Sequence, residues 1–315
     1  MWQILPLGLL SADKARAADP MAPDIIEQFT YALAASGIEL TKGERIIPDG
    51  KLHRVRLAGD KPGQRTGWYR LHSDPPPAGV AGDWRTGRRV KWCANSRQTL
   101  TAVELAILRR RIEQERAAAQ AEREAQYWDA AKRGAWVWKH ARPATPDHDY
   151  LRTKGVEPGI ARQRGDALVL PVLDFPGYLR GVQYIRPDGQ KRFLSGMKKA
   201  GAFIPVAEKP DGKRQLWIAE GWATACTLQA LRPLVCVIAG LDAGNLANVT
   251  AEARHRWPAL EIVVCPDFDS VGRQKGQEAA EKACAKILPP PAEIPPGCTD
   301  WNDVMAARRQ GAAHA

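Results

Sequence analysis

Two short apolar runs that each close on acids constrain this chain more than any other feature. Leu216-Trp217-Ile218-Ala219 ends on Glu220-Gly221, and Ile262-Val263-Val264-Cys265 ends on Pro266-Asp267-Phe268-Asp269. A third acidic group follows in Thr299-Asp300-Trp301-Asn302-Asp303. Short apolar runs alternating with helical segments predict the buried strands of a parallel α/β sheet. Ligands of such sheets bind beyond the carboxyl ends of the strands, which is where Glu220, Asp267 and Asp269 fall. Side-chain direction repeats every second residue of a strand, so Asp-x-Asp sends both carboxylates the same way. Hard oxygen ligands so gathered suit Mg²⁺ or Mn²⁺, whose other positions go to water and phosphate oxygens. Without a cation the acids would repel, and some would stay protonated. Taken singly, each acid reads equally well as a helix cap or a turn residue.

The ordered series of strand-Glu-Gly, strand-Asp-x-Asp and a following acid resembles the Toprim domain of bacterial-type primases, topoisomerases and some nucleases. The resemblance is closer to the Toprim module of phage and plasmid primases. It is carried by Ala219-Glu-Gly-Trp-Ala-Thr-Ala225, Ala239-Gly-Leu-Asp-Ala-Gly-Asn-Leu246, Pro266-Asp-Phe-Asp-Ser-Val-Gly272 and Thr299-Asp-Trp-Asn-Asp303. It covers residues 214–305 and, more loosely, the chain back to about 147. It implies a Rossmann-like parallel sheet flanked by helices, in an α/β fold. It also implies that Glu220, Asp267 and Asp269 hold the catalytic metals, with Asp303 supporting a second ion.

The 315 residues suffice for two domains plus linkers. The formal net charge of +11 points to a polyanionic partner. Six cysteines occur, with no Cys-x-x-Cys pair, so no zinc site is expected. Several of them sit in apolar patterns and read as buried thiols in a reducing cytoplasm. Bacterial-type primases usually carry an N-terminal zinc domain, which is here replaced or missing. Ile4 to Leu10 is too short to span a membrane, and no Lys or Arg precedes it as in a secretory signal. Residues 1–20 therefore read as a non-native or disordered leader.

Residues 21–98 form a small basic β-rich module behind a first helix from Asp24 to Gly37. Strands are expected at Lys51–Leu57, Gly67–Leu71 and Gly79–Trp84. Between residues 42 and 97 stand 13 Lys or Arg against 5 Asp or Glu. Trp68, Arg70, Trp84 and Arg85 suggest stacking on bases and contact with phosphates; equally, the tryptophans would form a core and the arginines a solvated surface. Residues 99–146 read as a helical linker, opened by the capping box Thr101/Glu104 and docked at its end by Trp128, Trp136 and Trp138. Residues 147–213 resemble the mixed α+β part of the primase core that precedes Toprim. Lys191, Arg192, Lys198 and Lys199 there, with Arg273 and Lys275 in an expected loop after Asp269, are candidates for nucleotide and template phosphates. Another helix is expected at Gln277–Ile287, and residues 306–315 as a loose tail.

The resemblance implies a DNA primase that makes short RNA primers from ribonucleoside triphosphates on a single-stranded DNA template. No Gly-x-x-x-x-Gly-Lys-Ser/Thr motif occurs, so a helicase would be a separate partner. A Toprim nuclease, or a non-catalytic single-strand-binding accessory protein, are the alternatives.

Overall fold

A computed structural model describes residues 24–94 and 101–313, and the expected leader lies outside them. The chain divides into two compact units, Met1–Ala117 and Ala118–Ala315.

In the first unit, the Asp24 carboxylate accepts from the Ile26 amide and opens α1 (Ile25–Ala35). Gly37, at φ +74°, follows its end in a left-handed conformation that suits glycine. The antiparallel strands β1 (His53–Val55), β2 (Gly67–His72), β3 (Ala78–Asp83) and β4 (Arg89–Cys93) pair in sequence order. Their inner face places Val55, Tyr69, Leu71 and Ala81 against Phe29 and Leu33 of α1. β4 went unexpected because its charged residues dominate the run. Its alternation is nonetheless real: Arg89 and Lys91 are exposed, while Trp92 packs edge-on against Phe29. The next helix, α2 (Ala102–His140), starts with the expected box: the Thr101 amide donates to Glu104 at 2.8 Å, and the Glu104 amide donates to the Thr101 hydroxyl at 3.2 Å.

In the second unit α2 docks through Ala130, Ala131, Gly134 and Val137, and of the expected tryptophans only Trp138 packs with them, under the Arg162 guanidinium. Small side chains let the helix approach closely: a Cβ on Gly134 would stand 2.9 Å from the Gly181 Cα. Trp128 and Trp136 remain exposed. After α2 come β5 (Arg142–Pro143), α3 (Asp149–Lys154), β6 (Arg162–Arg164), β7 (Ala167–Leu173), β8 (Leu179–Ile185) and β9 (Lys191–Phe193). These strands form one antiparallel sheet in sequence order. The turn at Pro187-Asp188-Gly189 joins β8 to β9, with Gly189 at φ +83°.

The chain then builds β10 (Ile204–Pro205), β11 (Leu216–Ala219), α4 (Trp222–Leu231), β12 (Cys236–Ala239), α5 (Ala243–Arg256), β13 (Ile262–Cys265), α6 (Ser270–Ala283), β14 (Lys286–Ile287) and α7 (Trp301–Ala313). The second sheet runs β10-β12-β11-β13-β14, parallel except for β10. Its three central strands, β12, β11 and β13, are apolar throughout because both faces are covered. Trp217, Ala219, Val237 and Val263 pack with Trp222, Ala225 and Leu228 of α4. Leu216, Ile218, Ile238 and Val264 pack with Leu246 and Val249 of α5 and Ala279 of α6.

Three boundaries differ from expectation. Residue 213 does not separate two compact bodies: β10 joins the parallel sheet, and Leu168, Leu170 and Val172 share a core with Trp217 and Ala219. The segment after Asp269 is helix from Ser270 on, because Asp269 caps it, its carboxylate accepting from the Gly272 amide at 2.7 Å. The tail is helical to Ala313, anchored by the buried Asn302 and Val304.

Candidate metal centre at the carboxyl edge of the parallel sheet

β11 and β13 are neighbours, with Ala219 opposite Cys265, so Glu220 and Asp267 leave the sheet at the same edge. The Ala243 amide at the start of α5 favours the charged form of Glu220. Burial raises its carboxyl above the usual range, helped by Asp269 and Asp242 and opposed by that amide and by Lys191. Asp267 is more perturbed. Burial first, then Glu220 and Asp300, push it up to about 8, with Lys191 opposing. One of its oxygens, Oδ1, is buried with no hydrogen-bond partner.

Acids that disfavour their own charge mark a place that lacks positive charge. Among the described residues no three His, Cys, Asp or Glu side chains close into a ready-made cage. Mg²⁺ does not need one, since it binds through one or two carboxylates and keeps waters or substrate phosphates in its other positions. The orphaned Asp267 oxygen and the all-carboxylate donor set therefore fit a hard divalent cation, held by Asp267 with Glu220 and Asp269.

Asp303, expected to support a second ion, is committed elsewhere. Its carboxylate pairs with Lys154 at 3.0 Å and accepts from the Thr299 amide and hydroxyl. Although burial opposes them, these partners hold its carboxyl below the usual range. Asp300 is the acid of this segment that acts on Asp267. The sequence showed both acids without a sign of which one faced the site, because the start of α7 decides it: Asp300 caps that helix by accepting from the Asp303 amide at 2.8 Å.

The candidate cations separate in the same way. Lys191 reaches the acids, its ammonium standing 3.5 Å from where a Cβ on Gly221 would lie. Lys199 lies at the rim, 2.5 Å from Asp242 and over the Phe193 ring. Arg192 follows Lys191 on the same strand and so points to the opposite side. Lys198 and Arg273 are exposed, and Lys275 pairs with Glu278 along α6 at 2.8 Å. The Gly240–Asp242 segment forms a tight turn, with Leu241 at φ +81°. Asn245, which the sequence did not single out, fixes this turn by donating to the Gly240 and Ala202 carbonyls. A cavity of about 540 Å³, lined by Gly155, Trp222, Cys226 and Arg309, holds none of the acids.

In the first unit, Arg70 pairs with Glu115 at 3.0 Å, and Arg85 lies 3.5 Å from both Asp60 and Asp83. Both guanidiniums serve the unit's own structure. Trp68 and Trp84 lie close together, ring centres 5.9 Å apart.

Residues 215–312 match the model of the Toprim domain family. Two Escherichia coli proteins named DNA primase TraC are similar to the chain. One is 35% identical over 86% of this chain and 28% of its own length, the other 30% identical over 85% and 20%. The chain thus spans between a fifth and just over a quarter of those relatives. The primase fragment of the bacteriophage T7 primase-helicase protein aligns at 17% identity with a TM-score of 0.42, covering 52% of this chain and 72% of that one. A DnaG primase catalytic domain bound to single-stranded DNA aligns at 13% identity and the same score, covering 62% and 78%. Residues 215–312 are thus similar to Toprim domains, and over most of its length the chain is similar to the two proteins named DNA primase TraC.

Proposed function

We propose that this chain is a DNA primase that joins ribonucleotides into short primers on a single-stranded DNA template. The observation that carries the reading is the anionic sheet edge, where the unpartnered Asp267 oxygen meets Glu220, with Lys191 beside them. A divalent cation at Asp267, Glu220 and Asp269 would supply charge neutralisation for a nucleotide's phosphates and for the attacking hydroxyl. Lys191 adds positive charge at the same edge and orients a triphosphate. Lys199, held by Asp242, extends that charge along the rim. Asp300 adds negative charge next to Asp267, which favours a second cation.

The experiment is primer synthesis on single-stranded DNA with labelled ribonucleotides and Mg²⁺ or Mn²⁺, wild type beside Asp267→Ala and Asp269→Ala. Short products from wild type alone are expected, with losses of at least about 100-fold for either variant. Metal-dependent shortening of the template instead would identify a nuclease. Neither reaction, with DNA still bound, would identify an accessory protein.

A further inference from the structure

We propose that the outer face of the four-stranded sheet in the first unit is a stacking surface for single-stranded nucleic acid, built by Arg54, Trp68, Trp84 and Arg89. Strand register puts three of these on one row. Arg54 lies opposite Trp68, Trp68 opposite Gly82, and Gly82 opposite Arg89. The neighbouring positions Val55, Tyr69 and Ala81 fill the core against α1, so this row turns outward.

Gly82 gives the row its shape. A Cβ there would stand 2.7 Å from the Trp68 indole, so glycine lets the ring lie flat across the sheet. Trp84 is 55% exposed and sits beside Trp68, its ring tilted by 41°. The Arg54 guanidinium lies 5.6 Å above the Trp84 ring and that of Arg89 lies 5.9 Å above Trp68. Indoles and guanidinium planes thus alternate on an open surface.

The arginines of this row differ from their neighbours. Arg56, Arg70 and Arg85 are each paired to an acid. Among the described residues, no carboxylate lies within ion-pairing distance of Arg54 or Arg89. The far end of the face is closed by Glu115, which holds both Arg70 and His72. What stays open is the aromatic end, in a segment with 13 basic residues against 5 acidic.

A surface of this kind selects unpaired strands. Aromatic faces stack only on bases that are free of a duplex stack, and free guanidiniums neutralise the phosphates between them. The surface works with or without polymerising chemistry at the acids.

The test uses the full-length protein and a fluorescein-labelled oligo(dT), with anisotropy read over a range of salt. Trp84→Ala and the double variant Arg54→Ala/Arg89→Ala change only exposed groups, so folding is retained. Trp84→Ala is expected to weaken binding about 5- to 150-fold. The double variant is expected to lower the salt slope by about 1.4. Photo-crosslinking of an iodouracil oligonucleotide, mapped by mass spectrometry, is expected to label the peptide that holds Trp84. Unchanged affinity in both variants, equal affinity for duplex, or adducts confined to residues 118–315 would each overturn the proposal. Displacement of the oligonucleotide by polyglutamate at equal charge would assign the face to an acidic protein segment and also overturn it. Primer synthesis can fail while these effects persist, and the reverse, so the two readings fail separately.

Discussion

At the scale of the residue, Asp267 shows a site that works against the fold. A buried carboxyl with an unpartnered oxygen, pressed by Glu220 and Asp300, destabilises the metal-free protein. Its carboxyl is pushed up to about 8, so folding at neutral pH requires this group to take up a proton that the unfolded chain has released. Asp267→Asn removes that cost and should raise the metal-free Tm by several degrees, on the order of 1 kcal/mol or more. Mn²⁺ should raise the Tm of wild type but not of the variant, because only wild type gains from binding. Thermal melts of both proteins, with and without metal, check this. Asn302 also has a buried oxygen without a partner, but both of its donors are matched. Its amide donates to the Lys154 carbonyl and the Thr227 hydroxyl, both at 2.8 Å, tying α7 to α3 and α4. Asn302→Ala leaves two buried partners unmet and should cost about 2–4 kcal/mol in urea unfolding. A pH effect belongs to Asp60. Its carboxyl is lowered to about 2 by the Thr66 hydroxyl, the Thr66 amide and the Leu57 amide. The unfolded carboxyl titrates near 4, so the stabilisation is whole above that pH and lost as pH falls through about 2. Acid unfolding of Asp60→Asn should lack this step.

At the scale of the element, glycines decide more than their flexibility suggests. Gly134→Ala should gain about 1 kcal/mol of helix propensity in α2. The new Cβ would press on backbone at Gly181, which cannot swing aside as a side chain can. Overpacking of that kind costs about 1–3 kcal/mol, so the clash wins and the variant should be less stable to urea. Gly272 and Gly276 behave alike in α6. Together with Arg273 and Lys275 they read as a loop, yet they are helical glycines that let α6 lie against the Asp-x-Asp strand end. A Cβ at Gly272 would be 2.8 Å from the Asp267 carbonyl, and one at Gly276 would be 2.6 Å from Pro266. A close approach of this kind has no local signature, because it depends on what the helix meets.

At the scale of the whole molecule, the two compact units meet within one helix. From residue 116 to 126 α2 is exposed on every side, with no buried face to support it. A helix held only by propensity opens readily. Trypsin should therefore cut first at Arg116 or Arg123, before either sheet is attacked. Mass spectrometry of a short digest would show it; first cuts within residues 160–290 would contradict the division.

The sequence by itself determined the parallel sheet and the acids at its edge. Runs such as Leu216–Ala219 and Ile262–Cys265 are apolar on both faces, and a strand that ends on an acid places that acid at the carboxyl edge. It determined the capping box of α2 for the same reason, since both partners lie within one turn. Only the tertiary structure decided which of Asp300 and Asp303 faces Asp267, and which of the basic residues reaches the acids. It also decided that Arg54 and Arg89, rather than Arg70 and Arg85, stand free beside the tryptophans. Those choices turn on partners far along the chain, such as Lys154 for Asp303 and Glu115 for Arg70. A charge is legible from the sequence, but whether it is already spent on a distant neighbour is not.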